Sequence, residues 1–184
     1  MTRRGCVPCL HHASHDEKPS VIEGARERIF RWEDPQIALR AIEGMSGLEM
    51  LQAMIAGDVP RPPIAVLMNI RLVAVERGSA VFEGEPGEEH YNPIGVVHGG
   101  FALTILDSAL GVAIHTMLEP GVGYGTTDTQ VRFVRPLTKD TGLVRCEAKV
   151  QHVGRSTGIS QGTLVDKSGK LLATGTTACA IMRR

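Results

Sequence analysis

The chain has 184 residues, of which 42% are hydrophobic and 22% are charged, and its formal net charge is zero. This length and composition are typical of a globular protein with one domain and some additional sequence. Lys and Arg residues are scattered, so neither the basic surface of a nucleic-acid-binding protein nor a polybasic membrane-binding patch is indicated.

Residues 1–20 are polar and rich in histidine, and we predict that they form a disordered tail. The tail contains a cysteine pair followed by three histidines: Cys6, Cys9, His11, His12 and His15. These residue types bind zinc, but a structural zinc site usually has a second ligand pair placed by a fold, which this aperiodic segment does not predict. We therefore expect no metal and no cofactor.

The other two cysteines, Cys146 and Cys179, lie in strand-like runs and are expected to be small core residues. Arg3 and Arg4 are not followed by the apolar stretch of a signal peptide. Together these features predict a reducing, cytoplasmic location without structural disulfides.

Residues 21–63 are predicted to form a helical N-terminal extension. Asp34 is a candidate N-cap of a first helix, and Gly44 can end that helix. Ser46 and Glu49 have the spacing of a capping box at the start of a second helix. The extension ends in a stiff Pro-Arg-Pro-Pro connector, and no catalytic role is expected for the first 60 residues.

Residues 64–184 are predicted to form the main domain. The predicted strands are 70–76, 79–85, 126–135, 143–153, 157–166 and 170–182, and one long helix is predicted over 99–118. A hairpin, one helix and then an antiparallel meander predict an α+β fold with a single helix on one face of a sheet. Gly123 and Gly125 indicate a loose segment before the third strand.

The long helix is apolar in nearly every direction around its axis, which is typical of a helix that is buried or spans a membrane. Its length would be sufficient for a span. However, Asp107 and His115 lie within it, and each would cost kilocalories at membrane depth. We therefore predict a helix wrapped by the sheet, and no membrane partner.

The sequence His98-Gly99-Gly100 marks the predicted start of this helix. The first N–H groups of a helix have no partner within it, and the helix dipole is positive there. Without side chains, the glycines let another molecule approach these groups, which can donate to a carbonyl oxygen that becomes an oxyanion. Alternatively, the glycines only permit a tight turn or close packing.

Asp107 is a carboxylate in an apolar helix, where it is costly unless it is paired, hydrogen-bonded or used in catalysis. The structural alternatives are an ion pair with Arg132 or Arg135 and a hydrogen bond with a backbone or hydroxyl group, such as that of Thr104. In the catalytic interpretation, Asp107 attacks a carbonyl directly or activates a water molecule that does so.

Gly99 and Asp107 are eight residues apart, which separates them by roughly 12 Å along one helix. A base must lie within hydrogen-bond reach of the attacking water, so these two residues of one chain do not fit around one carbonyl. Two antiparallel copies of the helix across a two-fold axis would bring Gly99 of one chain to Asp107 of the other. If both residues are catalytic, the protein should be at least a dimer.

The motif NPIGVVHGGFALTILD at residues 92–107, followed by TTDTQVRFVRP at 126–136, resembles the hotdog-fold acyl-CoA thioesterases, especially the phenylacetate-degradation type. The resemblance covers about residues 65–182. It implies a curved antiparallel sheet around a central helix, a homodimer or a dimer of dimers, and hydrolysis of an acyl-CoA substrate.

The resemblance also implies roles for individual residues. Asp107 matches the general base or nucleophile, and Gly99 matches the backbone donor to the thioester carbonyl. His98 matches a histidine that helps shape the oxyanion site, and it is also an alternative general base. Asn92 and Thr126 match residues that hold the nucleophilic water.

Two further residues, Gly100 and Thr127, are expected to contact the substrate. Thr127 is also an alternative to Thr126, because the sequence does not fix the register of the strand. Asp128 is a second acid candidate, but its polar neighbours are typical of an exposed residue at the end of a strand.

Hydrolysis of an acyl-CoA thioester to a carboxylic acid and free CoA is the favoured function. A dehydratase or hydratase of the same fold would need a histidine and an acid at a different spacing. A non-catalytic acyl-CoA-binding or regulatory module would not need Asp107, and only the N-terminal extension supports it. Aromatic, medium-chain and hydroxylated acyl groups are equally compatible with the sequence.

Overall fold

One antiparallel sheet is the framework of residues 24–183, the part of the chain that the computed structural model describes. Its strands are β1 (Ile70–Glu76), β2 (Ser79–Gly84), β3 (Val122–Phe133), β4 (Val144–Val153), β5 (Thr157–Asp166) and β6 (Leu171–Arg183). They are hydrogen-bonded in the order β1-β2-β4-β5-β6-β3, so β1 and β3 are the edge strands. The predicted tail, with Cys6 and Cys9, lies outside the described residues.

One long helix, α4 (Gly99–His115), packs on the sheet. Its fully buried residues include Phe101, Ala102, Ile105, Leu106, Ala109, Leu110, Ala113 and Ile114. This confirms the predicted α+β fold. One side of α4 is not covered within the single chain, because Leu103 is 41% exposed and Asp107 is half-buried.

The helix ends three residues earlier than predicted, at His115 in place of residue 118. After His115, the N–H groups of Met117 and Leu118 donate to carbonyls three residues before them, as in a tighter 3₁₀ turn. The Thr116 hydroxyl fixes this turn, since it donates to the Ala113 carbonyl and accepts the N–H of Gly78. The end of α4 is therefore tied to the β1–β2 hairpin.

Strand β3 begins at Val122, so the predicted loose segment before residue 126 is wrong. Gly123 and Gly125 are paired with Met182 and Ala180 of β6. Glycine weakens a strand locally, but here the pairing with a 13-residue neighbour overrides that preference. Asp107 consequently faces an ordered strand.

Three short helices precede the sheet: α1 (Pro35–Ala41), α2 (Gly47–Ala56) and α3 (Pro63–Leu67). Asp34 caps α1, and the predicted capping box of Ser46 and Glu49 is present at the start of α2. The sequence did not predict α3, although Pro63 occupies its first position, where a missing N–H costs nothing. Helices α2 and α3 pack against β1.

The two predicted core cysteines, Cys146 and Cys179, are buried as free thiols. Burial raises the pKa of Cys146 to about 12. No helix between residues 24 and 183 combines the length and the apolar character that a membrane crossing requires.

Candidate active site

The Asp107 carboxylate is held by two hydroxyl groups of β3. Thr129 Oγ1 donates to Asp107 Oδ1 at 3.0 Å, and Thr126 Oγ1 donates to the same oxygen at 3.3 Å. A third hydroxyl, of the buried Thr177 on β6, lies 2.8 Å from Thr129 Oγ1. These hydrogen bonds orient the carboxylate through one oxygen and leave its other oxygen, Oδ2, available to a ligand.

A β-bulge explains how two threonines three residues apart reach the same carboxylate. Side chains alternate along a regular strand, so Thr126 and Thr129 would point to opposite faces. The pairing with β6 shifts register between Thr126 and Asp128, which leaves Thr127 as an extra residue. Because of this extra residue, the side chains of Thr126 and Thr129 point to the same side of the strand.

Of the two structural alternatives for Asp107, the hydrogen bond to a hydroxyl group is present, from Thr129 and Thr126 in place of Thr104, whereas an ion pair is not found among the described residues. The Thr104 hydroxyl donates to the Gly100 carbonyl, and Arg135 donates to the Leu171 carbonyl. The ion pairs between residues 24 and 183 do not include Asp107. The carboxylate therefore has neutral donors only, an arrangement that suits a group that must accept a proton.

Helix α4 begins with one open donor. His98 is the N-cap, and its Nδ1 accepts the N–H of Gly100 at 2.8 Å. Within residues 24–183, no acceptor contacts the N–H of Gly99. Of the two glycines, Gly99 therefore offers its donor to a ligand, whereas the donor of Gly100 is already used.

Both of these glycines make close contacts, which are tighter at Gly100 than at Gly99. A Cβ on Gly100 would lie 2.8 Å from Nδ1 of His98, and a Cβ on Gly99 would lie 3.0 Å from the ring of Phe133. The capping contact also bears on His98 as a base. Its Nδ1 lone pair is occupied by a donor, so a neutral His98 carries its proton on Nε2. This geometry disfavours His98 as the general base.

The side chain of His90 packs beside the start of α4 and supports it. The His90 carbonyl accepts the N–H of His98 at 2.7 Å, and the His90 ring packs on Phe101 at 5.0 Å. Its Nδ1 accepts the N–H of Gly87. Burial, with a smaller contribution from the charge of Arg28, lowers the pKa of His90. The neutral His90 therefore acts as a rigid support for His98.

Asn92 lies at the same end of α4 and organises the loop before it. Its side-chain oxygen accepts the N–H groups of Ile94 and Val96. The Thr127 hydroxyl donates to the Ala178 carbonyl, so it serves the sheet and not Asp107. Of the two adjacent threonines, only Thr126 contacts the carboxylate.

The predicted site residues divide between two cavities of the single chain. One cavity, of about 460 Å³, is lined by Asp107 and Thr126. The other, of about 660 Å³, is lined by Asn92, His98, Gly99 and Gly100. The carboxylate and the open N–H thus face different spaces, as the eight-residue spacing along α4 requires.

The sequence did not identify two features of the Asp107 cavity. Thr129 was missed because only the bulge places it beside Asp107. Helix α2 was expected to have no catalytic role, yet Met50, Leu51, Met54 and Ile55 line the same cavity. The spacing of Leu51 and Met54 indicated that α2 has an apolar face, but it did not indicate what that face packs against.

His115 lines the far end of the Asp107 cavity and packs on Tyr124, with 5.2 Å between the rings. The dipole at the C-terminus of α4 favours a protonated ring, but burial dominates and lowers the pKa of His115. An unfolded histidine titrates near pH 6.5. As the pH falls, the unfolded chain therefore binds its proton first, and the folded state loses stability.

We expect the free energy of unfolding to decrease between about pH 7 and pH 5, and His115→Gln to flatten this decrease. Denaturant unfolding of both proteins at a series of pH values measures the difference in slope. Other groups, such as His90, contribute equally to both proteins. Parallel pH profiles of wild type and variant would contradict the assignment of a neutral His115.

Comparison with known proteins gives consistent matches. A model of the thioesterase superfamily matches residues 94–173. Human acyl-coenzyme A thioesterase 13 is 31% identical over 111 residues, which are 60% of this chain and 78% of that protein. The 1,4-dihydroxy-2-naphthoyl-CoA hydrolase of Listeria monocytogenes is 27% identical over 118 residues, 64% of this chain and 94% of that protein.

Solved structures also match this chain. A phenylacetic acid degradation-related protein from Ralstonia eutropha JMP134 superimposes with a TM-score of 0.65 at 30% identity, over 71% of this chain and 98% of that chain. The Escherichia coli PaaI protein superimposes with a TM-score of 0.64 at 20% identity, over 74% and 94% of the two chains. At that identity, the second match establishes the fold alone.

Proposed function

The chain belongs to the thioesterase superfamily, and we propose that it hydrolyses acyl-CoA thioesters to a carboxylic acid and free CoA at a site shared by two chains. It is a thioester hydrolase with the hotdog fold. The observation that carries the proposal is that one chain contains both a carboxylate held by hydrogen bonds, Asp107, and an open N–H, that of Gly99, but in two separate cavities.

In this proposal, Asp107 is the general base. Its Oδ2 takes a proton from a water molecule, whose oxygen attacks the thioester carbonyl carbon. The carbon–sulfur bond then breaks, and the CoA thiolate leaves and takes up a proton. Thr129 and Thr126 hold the carboxylate, and Thr126 also positions the water.

Gly99 stabilises the carbonyl oxygen as it becomes negative. Its N–H lies at the positive end of α4, where a donor is already oriented before the reaction. His98 caps Gly100 and so fixes the direction of the first turn. We propose that Asn92 shapes the loop at this half of the site. Gly100 and Thr127 are proposed to lie at the edges of the site, near the substrate.

Two chains are needed because one α4 separates Gly99 from Asp107 by roughly 12 Å. Strand β3 supports a dimer, since it is a 12-residue edge strand whose second side has no partner among the described residues. Such a long edge is normally covered. The side chains of Leu103 and Phe133, 41% and 57% exposed, also lie beside Gly99. Antiparallel packing of two α4–β3 units would bury them.

The domain division and the location are parts of the same proposal. We propose a hotdog domain over 64–184 preceded by the extension over 21–63, so that the boundary falls in the first turn of α3. A cytoplasmic location is supported by the burial of Cys146 and Cys179 as thiols. A dimer of dimers would use further surfaces of the sheet.

The direct test is release of free thiol from a panel of aryl, medium-chain and hydroxylated acyl-CoAs. We expect turnover with at least one class. Binding of acyl-CoA without thiol release would instead support a non-catalytic module. A strictly monomeric protein with full activity, measured by size analysis at the assay concentration, would contradict the shared site.

The Thr129 hydroxyl gives a separate prediction. Thr129→Val removes a hydrogen bond to a carboxylate, and we expect it to lower kcat by about tenfold. Thr129→Ser keeps the hydroxyl and should restore most of the activity with little change in KM. Steady-state kinetics of both variants measure this. Equal losses in the Ser and Val variants would indicate that Thr129 matters only for packing.

A further inference from the structure

Helix α2 forms one wall of the cavity that contains Asp107. This helix and α3 precede residues 94–173, the part of the chain that matches the thioesterase superfamily. Met50, Leu51, Met54 and Ile55 lie on one side of α2 and face the cavity, opposite Asp107 and Val112 of α4. The extension thus supplies a surface of the site that lies outside the segment matched by the superfamily model.

The position of α2 is fixed by its contact with the end of α4. The N–H of Gly47, the first residue of α2, donates to the Leu118 carbonyl at 3.0 Å. A Cβ on Gly47 would lie 1.9 Å from the carbonyl oxygen of His115, so only glycine permits this approach. Leu51 is 2% exposed and anchors the middle of the helix. The wall is therefore part of the folded structure.

The cavity has the size and the chemistry of an acyl site. Its volume of about 460 Å³ lies in the lower half of the range for small-molecule sites. It extends along α4 from Asp107 to His115, roughly 12 Å, which is the length of an extended chain of about ten methylene-linked carbons. Beyond Asp107, aliphatic and methionine side chains supply most of its wall, and methionine adapts to ligands of different shape.

We propose that α2 sets the acyl selectivity of the enzyme by limiting the length of an uncharged, apolar acyl group that extends from Asp107 toward His115. This inference rests on the proposed function. Met54 is the residue that we assign to this limit, because it is half-buried and lies near the centre of the α2 face that lines the cavity. In this proposal the chamber of about 460 Å³ holds only the acyl group, and the CoA portion of the substrate stays outside it.

The test replaces Met54 with a larger and with a smaller side chain. It compares kcat/KM across straight-chain acyl-CoAs from short to long. Met54→Trp fills the chamber and should lower kcat/KM for the long chains by about tenfold or more, relative to the short chains. Met54→Ala enlarges the chamber and should shift the preferred chain length upward. Gln52→Trp, which places the same new side chain at an exposed position of α2 outside the cavity, should leave the profile unchanged.

The outcomes separate this inference from the proposed function. Thiol release by wild-type enzyme supports the proposed function whatever the variants do. In an active enzyme, an unchanged profile in both Met54 variants would overturn the role of α2. So would a uniform loss for all chain lengths, because a uniform loss indicates contact with the CoA arm. Thermal unfolding of both variants shows whether each is folded. If Met54→Trp did not fold, Met54→Ala, which adds no volume, would still test the role of α2.

Discussion

Asp107→Asn is expected to lower kcat for thioester hydrolysis by roughly two or more orders of magnitude, while the fold and the Tm remain close to wild type. Asparagine has the same shape, and its amide oxygen can accept the hydrogen bonds of Thr129 and Thr126. It cannot take a proton from water. The loss should therefore appear in kcat and much less in KM.

Asp128→Asn is the matched control for this variant. Asp128 lies on the same strand as Thr126 and Thr129, but its side chain is exposed, and only its carbonyl accepts a hydrogen bond, from Thr177. Steady-state thiol release by the two variants under the same conditions isolates the effect of the Asp107 carboxylate. Retention of most of the activity in Asp107→Asn would refute its role as base or nucleophile.

Gly99→Pro is expected to lower kcat by about 10²–10³-fold, the usual effect of removing one oxyanion donor. Gly99 is the first residue of α4, the one helical position where proline is well tolerated. His98 has φ −59° and ψ 139°, the extended conformation that a residue before proline prefers. The substitution thus removes the N–H with little change in the backbone.

Gly99→Ala distinguishes the effect of removing the N–H donor from the effect of adding a side chain. Alanine keeps the N–H, but its Cβ meets the ring of Phe133 at 3.0 Å, as the proline Cβ does. Phe133 is largely exposed and can move. We therefore expect Gly99→Ala to retain far more activity than Gly99→Pro in the same thiol-release assay. Similar losses in both variants would show that crowding, and not the missing donor, causes the effect.

The local signals of the sequence predicted much of the fold. Caps are encoded within four residues, so Asp34 and the Ser46–Glu49 pair identified the starts of α1 and α2 correctly. The alternation of β4 and the turn residues between β5 and β6 predicted the meander in the same way. These features depend on neighbours in sequence, so they can be read without knowing the tertiary contacts.

The features that the sequence did not predict depend on distant contacts. The bulge that brings Thr129 to Asp107 exists only in the pairing of β3 with β6. The place of α2 beside Asp107 depends on the contact between Gly47 and the end of α4. The spacing of Gly99 and Asp107, in contrast, follows from helix geometry alone, so the proposal of a site shared by two chains can be made from the sequence.

Mixing two inactive variants tests the shared site most directly. Asp107→Asn and Gly99→Pro protomers are dissociated together, reassociated, and assayed for thiol release. If each site combines Asp107 of one chain with Gly99 of another, a mixed dimer contains one intact site. Random reassociation should then restore about a quarter of the wild-type activity. If the mixture stayed as inactive as the separate variants, although mixed dimers had formed, a site shared between two chains would be contradicted.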